Sequence, residues 1–176
     1  LIPRDGRLDV FALDPRGLGA SMGVMRGQRF FAPYGFDYMH HGHGLLFGES
    51  FLGRRVFDVL RTLDLLVASG AQEVELVGRG QGALLAAFAT LLSSRVRSVT
   101  LHGAPLAFFE WATTPVVRWP AANFPRGVLK HFDLPDVYRA LGRKLKQIDY
   151  WDALLRPAKR AQRHTVELAA RRKSAE

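Results

Sequence analysis

With 176 residues, 48% of them hydrophobic and 23% charged, the chain has the balance of one globular domain, long enough to bury a core and too apolar to stay disordered. No apolar run approaches the roughly 20 residues that a membrane-spanning helix needs, and zero cysteines exclude a disulfide framework and thiol catalysis. The net charge of +9 has much of its excess between Arg139 and Lys173; such a surface could attract nucleic acid, acidic lipid or an acidic glycan, but with no RNA-binding signature or interleaved aromatic platform it reads as a solvated basic helix face, and nucleic acid is not the expected partner.

In chain order, Leu8 to Leu13 is a short apolar run of the kind that forms a buried parallel strand. Ala20 to Leu46, rich in glycine and aromatic residues, reads as a long loop or lid. From Gly53 to Ser69, Val56, Leu60, Leu63 and Val67 recur at three- and four-residue steps and predict a helix with one apolar face. Val74 to Val77 is a second strand, and Ala83 to Leu92 is a helix almost wholly apolar, as one lying on a sheet would be. Val96 to Leu101 is a third strand. Ala104 to Gly127, with Phe108, Phe109, Trp111, Trp119 and four prolines, is expected to cover the C-terminal edge of the sheet, where α/β proteins bind ligands. Pro135 to Leu141 predicts a short helix capped by Asp133. Lys144 to Ile148 is more polar and reads as an edge strand, and Pro157 to Arg172 as a terminal amphipathic helix. Strand alternating with helix means an α/β fold, a mostly parallel sheet with helices on both faces.

The most informative stretch runs from Glu73 to Ala87, where a strand leads into Gly78-Arg79-Gly80-Gln81-Gly82 and then into a helix. One reading is a nucleophile elbow, G-x-S-x-G, with glycine at its centre. The flanking glycines let strand and helix approach closely, and the central residue takes a strained turn conformation. Glycine tolerates positive φ, so Gly80 is expected to keep the elbow's backbone while losing the hydroxyl and the acyl-enzyme chemistry that depends on it. The other reading is a dinucleotide fingerprint, because Gly78-x-Gly80-x-x-Ala83 fits G-x-G-x-x-G/A. That fingerprint wants an acid at the end of the next strand, and here the strand ends Thr100-Leu101-His102-Gly103.

Outside the elbow, Leu8-Asp-Val-Phe-Ala-Leu-Asp-Pro-Arg-Gly-Leu-Gly-Ala-Ser21 resembles the D-x-R-G-x-G-x-S strand and turn of acetyl xylan esterases and prolyl-oligopeptidase-like hydrolases. Leu52 to Asp64 resembles the helix that leads to their elbow strand, and Phe132 to Leu141 the segment ahead of their acid-bearing strand. The resemblance covers most of residues 8–155 and implies a partial α/β-hydrolase fold within a longer polypeptide. It maps the nucleophile to Gly80, one oxyanion-hole N–H to Gln81, and the triad acid to Asp152, with Asp149 as the alternative. The only histidine after Asp152 is His164, in a basic helical segment, where it reads as a surface residue. The glycine-rich loop that supplies the second oxyanion amide is not in this sequence, nor is the strand that in the family lies between the Asp-Arg-Gly strand and the elbow strand. Either the remainder of the polypeptide or another chain completes the sheet as a partner, or the strands have re-paired; a small ester or glycan is a further candidate ligand.

His40, His41 and His43 lack the i, i+4 pair or cysteine partner of a strong zinc motif, and read as part of a loop near the sheet edge. Asp37 and Glu49 complete a metal site only if that loop folds back. No metal or cofactor is expected. His102, at a strand's C-terminal end, is better placed for ligand contact, although a hydrogen-bonded structural role is the stronger reading of it. Arg16 is expected to pair with a nearby carboxylate. Three functions follow: a hydrolase-like scaffold or binding module without serine hydrolysis, a carbohydrate esterase with an atypical nucleophile position, and a nucleotide-binding α/β domain.

Overall fold

The computed structural model describes residues 9–22 and 37–158. Their elements in chain order are α1 (Tyr38–Leu46), α2 (Phe51–Ala68), β1 (Val74–Arg79), α3 (Gln81–Leu92), β2 (Val96–Pro105), α4 (Phe108–Thr113), α5 (Leu134–Leu141) and β3 (Leu145–Trp151), with short 3₁₀ turns between them. The three strands form one parallel sheet in the order β1-β2-β3. The chain is thus of mixed α/β class. Among the described residues, no helix is long and apolar enough to cross a membrane.

The core is built on α3. Ala83, Leu84, Ala87 and Ala89 are wholly buried there, and small side chains let the helix lie close on β1 and β2, against Val99 and Leu101. The apolar stripe of α2, from Leu52 through Val56 and Val59 to Leu63, joins the same cluster, as do Leu134, Val137, Tyr138 and Leu141 of α5. The Tyr138 hydroxyl donates to the Pro105 carbonyl at 2.6 Å, giving a buried polar atom its partner at the end of β2. Helix starts follow the residues expected of them. The Ser50 hydroxyl accepts from the Gly53 N–H to begin α2, and Asp133 caps α5, with proline in its first turn. The Asp133 carboxylate also accepts from the N–H groups of Phe108 (2.6 Å) and Phe109 (3.2 Å) at the start of α4.

The expected second layer of helices is not found over β1 among the described residues. Along β1, Val74 and Leu76 are half-buried and Gly78 is buried, while Glu75, Val77 and Arg79 stand exposed. Val77 is 68% exposed, which a strand covered on both faces would not allow. Three other expectations change. Residues 9–14 form no strand, and Val10 and Phe11 are exposed. A strand needs a neighbour for its N–H and C=O groups, and the described residues pair none with this run. The stretch expected to be a loop as far as Leu46 instead closes as α1. Its Gly44 lies close to the Glu49 carbonyl, where a Cβ would come within 3.2 Å. Pro157 makes an antiparallel bridge to Trp151 rather than starting a helix; residues 159–172 of that predicted helix lie outside the described residues, as do Leu8 and residues 23–36.

The Asp-Pro-Arg-Gly turn is fastened to α2 from two sides. Arg16 pairs with Asp58, its Nε donating to Oδ2 at 2.8 Å. Arg55, wholly buried, donates to the carbonyl of Arg16 at 2.9 Å and to Asp37 at 2.6 Å. The hydrogen bond from Arg16 holds the Asp58 carboxyl below its usual range, against the opposing effect of partial burial. A carboxylate depressed in the folded state adds stability above its unfolded pKa of about 3.9 and loses it as pH falls through the lower folded value. Thermal melting from about pH 6 down to about pH 2 should therefore show Asp58→Asn less stable than the parent at the upper end, with the two curves converging at the lower. A constant difference across that range would mean that the charge of Asp58 is not what the turn uses.

Candidate functional site

The candidate site lies at the C-terminal ends of the strands. β1 ends at Arg79 and α3 begins at Gln81, so Gly80 alone makes the turn between them, at φ 57° and ψ −119°. The positive φ expected of the residue is present, in a region that side chains rarely adopt. The Gly80 N–H donates to the His102 carbonyl at 2.8 Å, which ties the turn to β2. Of the flanking glycines, Gly78 is the one required by space: a Cβ there would lie 2.3 Å from the Gly82 carbonyl oxygen and 2.7 Å from the Ala83 Cα. A Cβ at Gly82 would meet nothing within 4 Å.

Gln81 heads α3, so its N–H is among the first four of the helix, which have no intrahelical partner. Its side-chain amide donates to the Asn123 Oδ1 at 2.5 Å. Asn123 is wholly buried, and its Nδ2 has no hydrogen-bond partner among the described residues.

Trp151 closes over the turn from the end of β3. Its ring would come within 3.3 Å of a Cβ at Gly80 and within 2.4 Å of one at Gly103, where φ is 57°. At Gly103 the ring leaves no room for a Cβ, while at Gly80 it would have to give by a few tenths of an ångström. The Arg79 guanidinium carbon lies 5.4 Å from the centre of the Trp151 ring, within cation–π range. The segment expected to cover the sheet's C-terminal edge reaches the same place. Trp119 donates through Nε1 to the Asp152 carbonyl at 2.9 Å, and its ring stacks on Trp111 with centres 5.2 Å apart.

The two aspartates proposed as acids have different surroundings. Asp152 is closed in on itself. Its carboxylate accepts from the N–H groups of Leu154 and Arg156, both at 2.9 Å, and from the Arg156 guanidinium at 2.8 and 3.0 Å. Burial pushes its carboxyl upward, but the Arg156 hydrogen bonds outweigh that and hold it below the usual range. Asp149 meets a histidine instead. Its Oδ1 lies 3.0 Å from the His102 Nδ1, and its Oδ2 accepts from the Gly103 N–H at 2.9 Å. His102 and Asp149 were each visible as single candidates. Their pairing depends on the register of β2 against β3, which no local pattern encodes. His164 lies outside the described residues.

The histidines of α1 serve other ends. His40 stacks on Phe51 with ring centres 5.8 Å apart, and burial pushes the His41 pKa downward, against the pull of Asp37. The acids that would have completed a metal site are engaged elsewhere, Asp37 with Arg55 and Glu49 with Arg54. Among the described residues, no group of three or more histidine, aspartate or glutamate side chains could hold a metal ion.

Compared with family models, curated proteins and solved structures, the chain matches none.

Proposed function

We propose that this chain is an α/β-hydrolase-like domain, related to acetyl xylan esterases, that does not carry out serine hydrolysis and acts as a scaffold or binding module. The observation that carries this reading is Gly80: a strand-to-helix turn at positive φ, without a hydroxyl, and with the Trp151 ring where a side chain would project. The nucleotide-binding reading has no such support. A dinucleotide site calls for a carboxylate at the end of β2 to hold a ribose, and β2 ends in His102-Gly-Ala-Pro105.

The sheet also argues for a missing neighbour. Among the described residues β1 is an edge strand with Val77 exposed, and the exposed run with Val10 and Phe11 stands outside the sheet although its turn is fastened to α2. A further strand, from the remainder of the polypeptide or another chain, would satisfy the edge of β1 and cover those side chains.

The chain should hydrolyse an aryl acetate no faster than background and should not be labelled by a serine-directed phosphonate. Labelling mapped to Ser21 or Ser50 would overturn this; in the structure the Ser21 hydroxyl donates to the Pro15 carbonyl and Ser50 caps α2. Gly80→Ser should fold, with some loss of stability, because its Cβ would press on the Trp151 ring in a strained turn. Its turnover should stay near background. A serine hydroxyl needs a histidine within reach to take its proton and a third group to orient that histidine; among the described residues the histidine paired with a carboxylate is His102, and it stands beside Arg79 in the ladder rather than beside residue 80. By the resemblance, the second oxyanion donor comes from a glycine-rich loop not recognised in this sequence, and losing one such donor costs on the order of 100- to 1,000-fold in rate. Enzyme-like rates from Gly80→Ser would replace the scaffold reading with that of an esterase disabled at a single residue.

A further inference from the structure

The face of the sheet that β1 leaves open is not chemically neutral at its C-terminal end. Arg79 and His102 are partners in the parallel ladder, so they stand on neighbouring strands about 4.8 Å apart, with their side chains on one face. The other charges near β1 are neutralised in pairs, Glu75 with Lys146 and Glu73 with Arg97. Arg79 has no carboxylate partner among the described residues; its guanidinium is steadied only by the Trp151 ring.

His102 is held in one orientation. A carboxylate can only accept, so Asp149 fixes the proton of a neutral His102 on Nδ1 and leaves the Nε2 lone pair free to accept. The Gly103 N–H anchors the other carboxylate oxygen, so the acid is itself fixed. Both side chains remain accessible, at 41% for His102 and 44% for Asp149. The result is a cationic fork of donors beside a fixed acceptor. The fork suits an oxyanion, and the acceptor suits a hydroxyl on the same molecule.

We propose that Arg79 and the His102–Asp149 pair form a binding site for a small hydroxylated anion, a sugar phosphate or sugar acid, whose anionic group meets Arg79 and whose hydroxyl donates to His102 Nε2. This rests on the reading of the chain as a non-hydrolytic binding domain. The two are tested apart, because ester hydrolysis addresses that reading and ligand titration addresses this site.

The test is a titration of the 176-residue chain, followed through the ring-proton NMR signals of His102, with glucose 6-phosphate, glucuronate, inorganic phosphate and glucose. A saturable shift with glucose 6-phosphate or glucuronate is expected, and which of the two binds more tightly assigns the anion. Inorganic phosphate should bind more weakly, and glucose should produce no shift. Arg79→Gln, an exposed substitution that leaves the core intact, should weaken binding about tenfold or more, the usual loss of a charge-assisted hydrogen bond. Asp149→Asn should weaken it as well, by releasing the imidazole from its fixed tautomer. No saturable shift with either hydroxylated anion at millimolar concentration overturns the proposal. So does inorganic phosphate binding as tightly as glucose 6-phosphate, or binding unchanged in Arg79→Gln.

Discussion

Gly78→Ala is expected to cost about 3 kcal/mol or more of folding stability, at the upper end for an overpacked core, while Gly82→Ala leaves the protein as stable as the parent or slightly more so. The two glycines look equivalent in sequence, two positions on either side of Gly80. In space they are not. A Cβ on Gly78 would enter the backbone of α3, 2.3 Å from the Gly82 carbonyl oxygen and 2.5 Å from its carbon. Backbone cannot rotate aside as a flexible side chain can, so β1 and α3 would have to separate along their tightest contact. At Gly82 there is open space, and alanine in a helix is favoured over glycine by about 1 kcal/mol. Urea denaturation of the two variants checks the contrast. Equal losses would mean that the close approach of strand and helix is not what Gly78 provides.

Arg55→Ala is the second large effect, about 3–5 kcal/mol, the usual result of removing one partner from a buried ion pair. Arg55 is wholly buried and reaches three groups: the carboxylate of Asp37, the carbonyl of Arg16 at 2.9 Å and the carbonyl of Gly17 at 3.4 Å. Its guanidinium carbon also lies 4.6 Å from the centre of the Phe51 ring. Truncation strands the Asp37 carboxylate, whose other oxygen already lacks a partner among the described residues, and leaves the turn fastened to α2 by the Arg16–Asp58 pair alone. The double variant Arg55→Met with Asp37→Leu removes both charges and should be milder than Arg55→Ala, because no uncompensated charge is left buried. Chemical denaturation of the three proteins checks the order. A double variant worse than the single would place the cost in lost packing rather than in the stranded carboxylate.

Sequence pattern located the elements whose cause is local. The three- and four-residue spacing of Val56, Leu60 and Leu63 found α2, and Asp133 with Pro135 found α5 to within a residue. The glycines of the elbow located the one strand-to-helix turn on which the functional reading rests. Extents were less legible. β2 was expected to stop at Leu101 but continues to Pro105, because β3 supplies a ladder through Ala104 and Pro105 that overrides the poor strand propensity of Gly103 and proline. α1 was missed because Gly42 and Gly44 weaken the helical pattern, while its support comes from Asp37, drawn in by Arg55 from another helix. The run with Val10 and Phe11 has strand composition without a described strand beside it, and composition carries no information about the neighbour. In the candidate site, the strand-to-helix turn at Gly80 was readable from motif. The partnership of His102 with Asp149, and the ring of Trp151 over two glycines, are consequences of register between strands more than 40 residues apart in sequence.

One carboxylate ties together the region between β2 and β3. Asp133 accepts from Phe108 and Phe109 at the start of α4 and from Leu134 at the start of α5, so the two helices share a single origin although a stretch of aromatic and proline-rich chain separates them. Loss of this one side chain would therefore uncap both helix starts at once, beneath the aromatic side chains that the crossover packs into the core.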